Sequence, residues 1–178
     1  MDVRKIANPF LKELHMTTKE VVHLVILNNY DVVYIDKIES YQSININSSI
    51  GKVVPFHCTA VGKVLVSQKS KEDVIKALVS KGMNKYTDKS ITDPDIFLKE
   101  LDKVNRLGYA IDDNEYEIGI RCIAAPIKNH MGKIVAAISV AGFDSRITDE
   151  RLADFVEMVA ITAARISEKM GFDASIIL

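Results

Sequence analysis

The chain carries no surplus of positive charge: 23 Lys and Arg stand against 24 Asp and Glu in 178 residues, a formal net charge of -1. A nucleic-acid reader normally has a clustered basic footprint, and the lysines here are scattered. That argues against direct binding of DNA or a membrane surface by this chain alone. Long apolar runs are missing too. No window approaches the ~18 apolar residues of a membrane-spanning helix, and Met1-Asp2-Val3-Arg4-Lys5 opens no signal-peptide core. Cysteine is scarce: Cys58 and Cys122 lie far apart without CxxC spacing, which reads as reduced thiols in a cytoplasm. Internal repeats and low-complexity runs are absent.

What is present is enough apolar material, 48% of residues, for one domain around one proper core. Val3, Ile6, Ala7, Phe10, Leu11 and Leu14 recur at helical spacing, with Pro9 either starting that helix proper or kinking it. A helix beginning at the first residues suggests a partner segment before it. Strands are expected over Glu20 to Asn28 and Val32 to Glu39, joined by the turn residues Asn28-Asn29-Tyr30-Asp31. The alternation in Ser43-Ile44-Asn45-Ile46-Asn47 predicts a third, half-exposed strand. Helices are expected from Thr59 to Gln68, from the Ser70 cap to Gly82, and from Asp93-Pro94 to Gly108. Three more strands, Tyr109 to Asp112, Gly119 to Ile127 and Ile134 to Ala141, precede a last helix. Thr148 caps it, Ile147 and Leu152 staple it and Gly171 stops it. Short hairpin links imply an antiparallel sheet with helices packed on it, an α+β fold.

The most informative stretch is Gly51-Lys52-Val53-Val54-Pro55-Phe56-His57-Cys58-Thr59-Ala60-Val61-Gly62-Lys63. An extended apolar segment stops at a proline, and a turn of small residues then opens a helix. Thr, Ala and Gly leave the first backbone N–H groups uncovered, and those donors, with the helix dipole behind them, can seat a small anion.

That stretch resembles the signature of the IclR family of bacterial transcriptional regulators. So does Leu107-Gly108-Tyr109-Ala110-Ile111-Asp112-Asp113-Asn114-Glu115, and so do Gly119 to Pro126 and Ile134 to Gly142 closed by Ser145-Arg146. The likeness runs over nearly the whole chain in the right order and spacing. It implies a GAF-like effector-binding domain, an antiparallel sheet of about six strands flanked by helices, that follows a winged helix-turn-helix contacting operator DNA. Residues 1–17 then correspond to the linker helix from that DNA-binding domain, and 18–178 to the effector-binding domain. By position, the resemblance implies backbone donors at Ala60 and Val61, pocket side chains Asp112, Cys122 and Ser139, and an apolar wall of Val54, Ile120 and Ile46. One departure stands out: the family often has a second hydroxyl two residues beyond the serine, and Ala141 occupies that place.

The residues themselves also admit plainer readings. A mid-strand Cys122 is commonly an inert core residue, Asp112 opens an acidic turn, and Ser139 among Ala137 and Ala141 needs a partner if buried. Asp112 would accept from a ligand hydroxyl yet repel a carboxylate placed too near, so the expected ligand has an acid end and a hydroxyl or keto end. His57 and Cys58 are adjacent on an extended segment and point apart, so neither a metal nor another cofactor is expected. The leading expectation is a non-enzymatic sensor of a small organic acid that self-associates as a homodimer or tetramer. It would reach operator DNA only through the missing domain and would not touch membrane. The alternative is a GAF-type thiol oxidoreductase using Cys58 and Cys122, with no evident cation to activate either thiol. A third possibility is a pure oligomerisation module with a vestigial pocket.

Overall fold

A computed structural model describes residues 2–43 and 46–176. Helix α1 (Val3–Thr18) leads into strand β1 (Val21–Asn28), which turns through Asn29 and Tyr30 into β2 (Asp31–Ile38). Both turn residues have positive φ, 48° and 64°, the twist a tight two-residue hairpin requires. After a connection comes the short β3 (Val53–Val54), then helices α2 (Ala60–Val66), α3 (Lys71–Lys81) and α4 (Pro94–Leu107). Strands β4 (Ala110–Asp113), β5 (Ile120–Lys128) and β6 (Ile134–Phe143) and helix α5 (Asp149–Lys169) complete the chain.

The six strands form one sheet in the order β3-β2-β1-β6-β5-β4, with antiparallel neighbours. This is the expected α+β architecture. Strand alternation splits the apolar residues between two faces. Val22, Leu24, Ile123, Ile127, Ile138 and Val140 pack against α1 and α5 on one face. Val25, Ala124 and Ala137 pack against α2, α3 and α4 on the other. A register shift between Leu24 and Val25 falls in the middle of β1, at the sheet's centre.

Three local expectations change. Pro9 lies inside α1 and does not start it; Asp2 caps the helix by accepting from Arg4 N–H, and Ala7, Leu11 and Leu14 bury its inner face on both sides of the proline. The strand expected over 43–47 is not found at its described residues. Ser43 ends a 3-10 turn (Tyr41–Ser43), Ile46 and Asn47 pair with no strand, and Ile44 and Asn45 lie outside the described residues. The third strand is instead Val53–Val54, paired with Val33 and Val32. Thr148 occupies the cap position of α5 without a side-chain bond to the helix amides, whereas the Asp93 side chain accepts from both Asp95 and Ile96 at the start of α4.

Candidate functional site

The register of the sheet sets out the floor of a cavity on the α2 side. Opposite His23 on β1 stands Ser139 on β6. Two pairs further along, Ala141 on β6 faces Cys122 on β5, and Cys122 faces Asp112 on β4. These residues share a face because directly paired residues of neighbouring strands point to the same side, and Ser139 and Ala141 lie two apart on β6. Tyr34 from β2 stacks on the His23 ring, with centroids 4.6 Å apart.

Three segments close over this floor: Ile46 to Ser48 from the β2–β3 connection, Thr59 to Val61 at the start of α2, and Tyr116 and Glu117 from the turn before β5 with Ile120 at that strand's start. About 480 Å³ of space lies between them. As it stands the freely reachable interior is about 30 Å³, room for a couple of water molecules.

The start of α2 is held tightly. Thr59 Oγ1 donates to the Pro55 carbonyl at 2.6 Å and accepts from Gly62 N–H at 3.2 Å, and Lys63 N–H bonds the Thr59 carbonyl. A Cβ on Gly62 would lie 2.3 Å from Phe56 Cα, so only glycine lets the helix sit this close to the preceding segment. The amides of Ala60 and Val61 have no hydrogen-bond partner among the described residues. With seven residues, α2 has a small dipole, so its contribution is these two donors and not a strong field.

The polar groups on the floor are mostly uncharged. His23 is 2% exposed; burial, with nearby Lys37, lowers its pKa to about 3, so the imidazole is neutral. Its Nε2 pairs with Ser48 Oγ at 2.8 Å and its Nδ1 with Ser139 Oγ at 3.4 Å. Burial raises the Tyr34 hydroxyl and, further, the Cys122 thiol. Asp112 accepts Glu115 N–H at 2.8 Å. Burial, then the charge of Glu115, push its pKa up to about 7 against that hydrogen bond and Lys63. Among the described residues, no Lys or Arg lines the cavity.

The fold therefore brings Ala60, Val61, Asp112, Cys122, Ser139, Ile120 and Ile46 around one hollow. Val54 is a correction. It is buried in the β3–β2 ladder opposite Val32 and borders a separate groove with Tyr30, Phe56 and Tyr86. The physical reason is position: β3 is the outermost strand beyond β2, and the 46–48 segment closes the cavity instead. His23, Tyr34, Ser48, Tyr116 and Glu117 were not anticipated. The available signal was His23, a lone polar residue in the apolar run of β1.

The same geometry bears on thiol chemistry. Cys58 is fully buried, and burial together with Asp112 and Glu115 raises its thiol as it does that of Cys122. Nucleophilic thiols need the opposite environment, so the oxidoreductase alternative has no support. His57 bonds the Asn84 carbonyl at 3.0 Å and lies beside the Tyr86 ring.

Comparison with known proteins gives a consistent result. The family model for the bacterial transcriptional regulator IclR C-terminal domain matches residues 1–168. The HTH-type transcriptional regulator KdgR of Escherichia coli is 35% identical over 97% of this chain and 65% of its own length. The chain thus spans just under two thirds of the length of the curated relatives it matches. The crystal structure of the C-terminal domain of that regulator superposes with a TM-score of 0.87 over 97% of this chain and 100% of its own. The Thermotoga maritima IclR structure is 34% identical, with a TM-score of 0.90, over 97% of this chain and 70% of its own. A double mutant of the inducer-binding domain of the PobR transcription factor from Acinetobacter, in complex with 3-hydroxybenzoic acid, is 30% identical. Its TM-score is 0.84, over 94% of this chain and 98% of its own.

Proposed function

The chain belongs to the IclR family of bacterial transcriptional regulators, whose C-terminal domain it carries, and from that premise we propose that it senses a small organic acid through the cavity over β1, β6, β5 and β4. Residues 18–178 are the effector-binding domain, and residues 1–17 are the linker helix toward a winged helix-turn-helix in the whole regulator. It acts by binding and not by turnover, in the cytoplasm, as a homodimer or tetramer. Ligand shifts the balance between quaternary arrangements only to the extent that it binds them unequally, and the DNA-binding domain reads out the shift.

The observation that carries this reading is the pairing, across one hollow, of two unpartnered amides with buried hydroxyl and carboxyl groups. The acid end of the ligand takes the Ala60 and Val61 N–H groups. A hydroxyl or keto group lies toward Ser139 and Asp112, and Ile46, Ile120 and Ala141 cover the carbon skeleton. A hydroxy acid in the PobR inducer-binding domain is of the same chemical class.

Thermal melts against a panel of keto, sugar and aromatic acids test it. Ligand at ~100 times its dissociation constant stabilises the domain by roughly 2.7 kcal/mol. Ala60→Pro is the sharp control. Thr59 already has φ -121° and ψ 143°, which suits a following proline, and Ala60 is the first helical position, where proline fits. The variant folds and loses one donor, so the stabilisation by acid drops well below that of the parent. Acids that stabilise both proteins equally, or none that stabilises the parent, would contradict the proposal.

A further inference from the structure

We infer that His23 is a positioning residue of the cavity: with Lys37 and Ser48 behind it, its ring holds Ser139 as a hydrogen-bond donor toward the ligand. The group that meets Ser139 is then an oxygen that brings lone pairs and no proton. The inference rests on the proposed role of the cavity as the ligand site, and takes nothing from the start of α2.

Two strand registers set the arrangement. His23 on β1 faces Lys37 on β2 and Ser139 on β6, so the three stand in a row on the cavity side of the sheet, with His23 in the middle. Among the described residues, each ring nitrogen has one side-chain partner. Nε2 meets Ser48 Oγ at 2.8 Å, and Nδ1 meets Ser139 Oγ at 3.4 Å. Tyr34 stacks on the ring at 4.6 Å and 24° from parallel, which fixes the ring plane. The Ser48 end is the firm one. Its carbonyl accepts the Lys37 ammonium at 2.6 Å, and its N–H bonds the Ile46 carbonyl at 2.8 Å. Ser139 is 2% exposed, and its hydroxyl has no other partner among the described residues. The long contact to His23 therefore leaves that hydroxyl with bonding capacity to spare.

A neutral imidazole offers one N–H and one lone pair, and a hydroxyl can bond either. With the ring proton on Nε2, Ser48 accepts and Ser139 donates to Nδ1, so Ser139 has only lone pairs left for the cavity. With the proton on Nδ1, Ser48 donates to Nε2 and Ser139 accepts, so its own O–H is free to enter the hollow. Lys37 decides between the two. Its ammonium and Nε2 bond the same residue, Ser48, and in the row it stands on the far side of His23 from Ser139. Its second partner, Glu39, has a side chain 73% exposed, where water screens it. A cation beside the buried ring favours the lone pair toward it and the N–H away from it. The proton therefore sits on Nδ1, and Ser139 is a donor.

Long-range 1H–15N NMR of this chain reads the ring directly, because protonated and bare ring nitrogens resonate far apart. His23 is assigned by the signals lost in His23→Gln. The expected spectrum has the proton on Nδ1. Lys37→Met, which keeps an unbranched stem and removes the charge, moves it to Nε2 in a large share of molecules, and Lys37→Arg keeps the parent pattern. A parent ring protonated on Nε2, or a folded Lys37→Met with an unmoved ring, overturns the role of His23 and leaves the acid reading standing. If Lys37→Met does not fold, the parent spectrum carries the test alone. Pyruvate, lactate and 3-hydroxybenzoate are then added in turn. An acid that binds shifts the His23 Nδ1 signal as Ser139 gains its acceptor, and Ser139→Ala removes that shift and weakens the acid by up to about tenfold. An acid that binds without moving the signal overturns the inference alone. Binding by none of the three overturns the inference and the acid reading beneath it.

Discussion

Asp112 shows how burial turns a strand-end carboxyl into a titrating part of the site. It is 4% exposed, with a pKa raised from 3.8 to about 7. In the unfolded chain it ionises near the ordinary value, so between about pH 4 and pH 7 the unfolded state sheds a proton that the native state keeps. Stability from this group is full below pH 4 and is lost as pH rises toward 7, by about 4 kcal/mol at most. Asp112→Asn retains an acceptor for Glu115 N–H without the charge. We expect it to raise the melting temperature of the ligand-free domain markedly at pH 8 and little at pH 4. An equal rise at both would mean that Asp112 titrates normally. Single residues were also where the sequence was least legible. Counting along strands could put Cys122 with Ile120 and Ser139 with Ala141, but these pairs and His23 meet only through the β5–β6 and β1–β6 registers, which no local pattern encodes.

At the scale of elements, most boundaries were legible because their signals are local. Asp93-Pro94 and Gly108 bracket α4 (Pro94–Leu107), and Gly108 has φ 78°, a conformation glycine adopts without strain. The same comparison yields a contrast in cap strength. Asp93→Ala loses two amide bonds and costs about 1 kcal/mol, while Thr148→Ala, with no amide bond to lose, costs distinctly less. Urea unfolding of the two variants measures the difference, and equal losses would refute it. Ile46 and Asn47, within the strand expected over 43–47, join no ladder, and this has a physical origin. Alternation reports which side chains are covered, and Ile46 and Ser48, lying over a cavity with Asn47 exposed between them, produce it without a ladder. Val54 was assigned to the wall by the family resemblance, and a position in a motif says nothing of which side of β2 the strand joins. Helix α2 supplies another test. Gly→Ala within a helix normally stabilises by up to ~1 kcal/mol. At Gly62 the added Cβ meets Phe56 Cα at 2.3 Å and its carbonyl oxygen at 2.6 Å. Gly62→Ala is therefore expected to destabilise by several kcal/mol or to abolish folding, by denaturant melt, and a neutral result would show that α2 does not sit as described.

The molecule as a whole separates load from response. The face against α1 and α5 is a continuous apolar core, whereas the opposite face interrupts its core with a polar, narrow hollow. A sheet braced on one side can tolerate a poorly filled pocket on the other, and filling that pocket is where a ligand can stabilise the fold most. No helix among the described residues is long and apolar enough to cross a membrane, and a net charge of -1 comes with no clustered basic footprint of the kind a nucleic-acid reader carries. The most direct test is an amide 1H–15N NMR titration of this chain with the acid that stabilises it best. The account predicts that the largest saturable shifts fall on the Ala60 and Val61 amides, downfield as each gains an anionic acceptor, with Ser139 responding alongside. Saturable shifts confined to the groove beside Val54 and Tyr86, with Ala60 and Val61 unmoved, would contradict it.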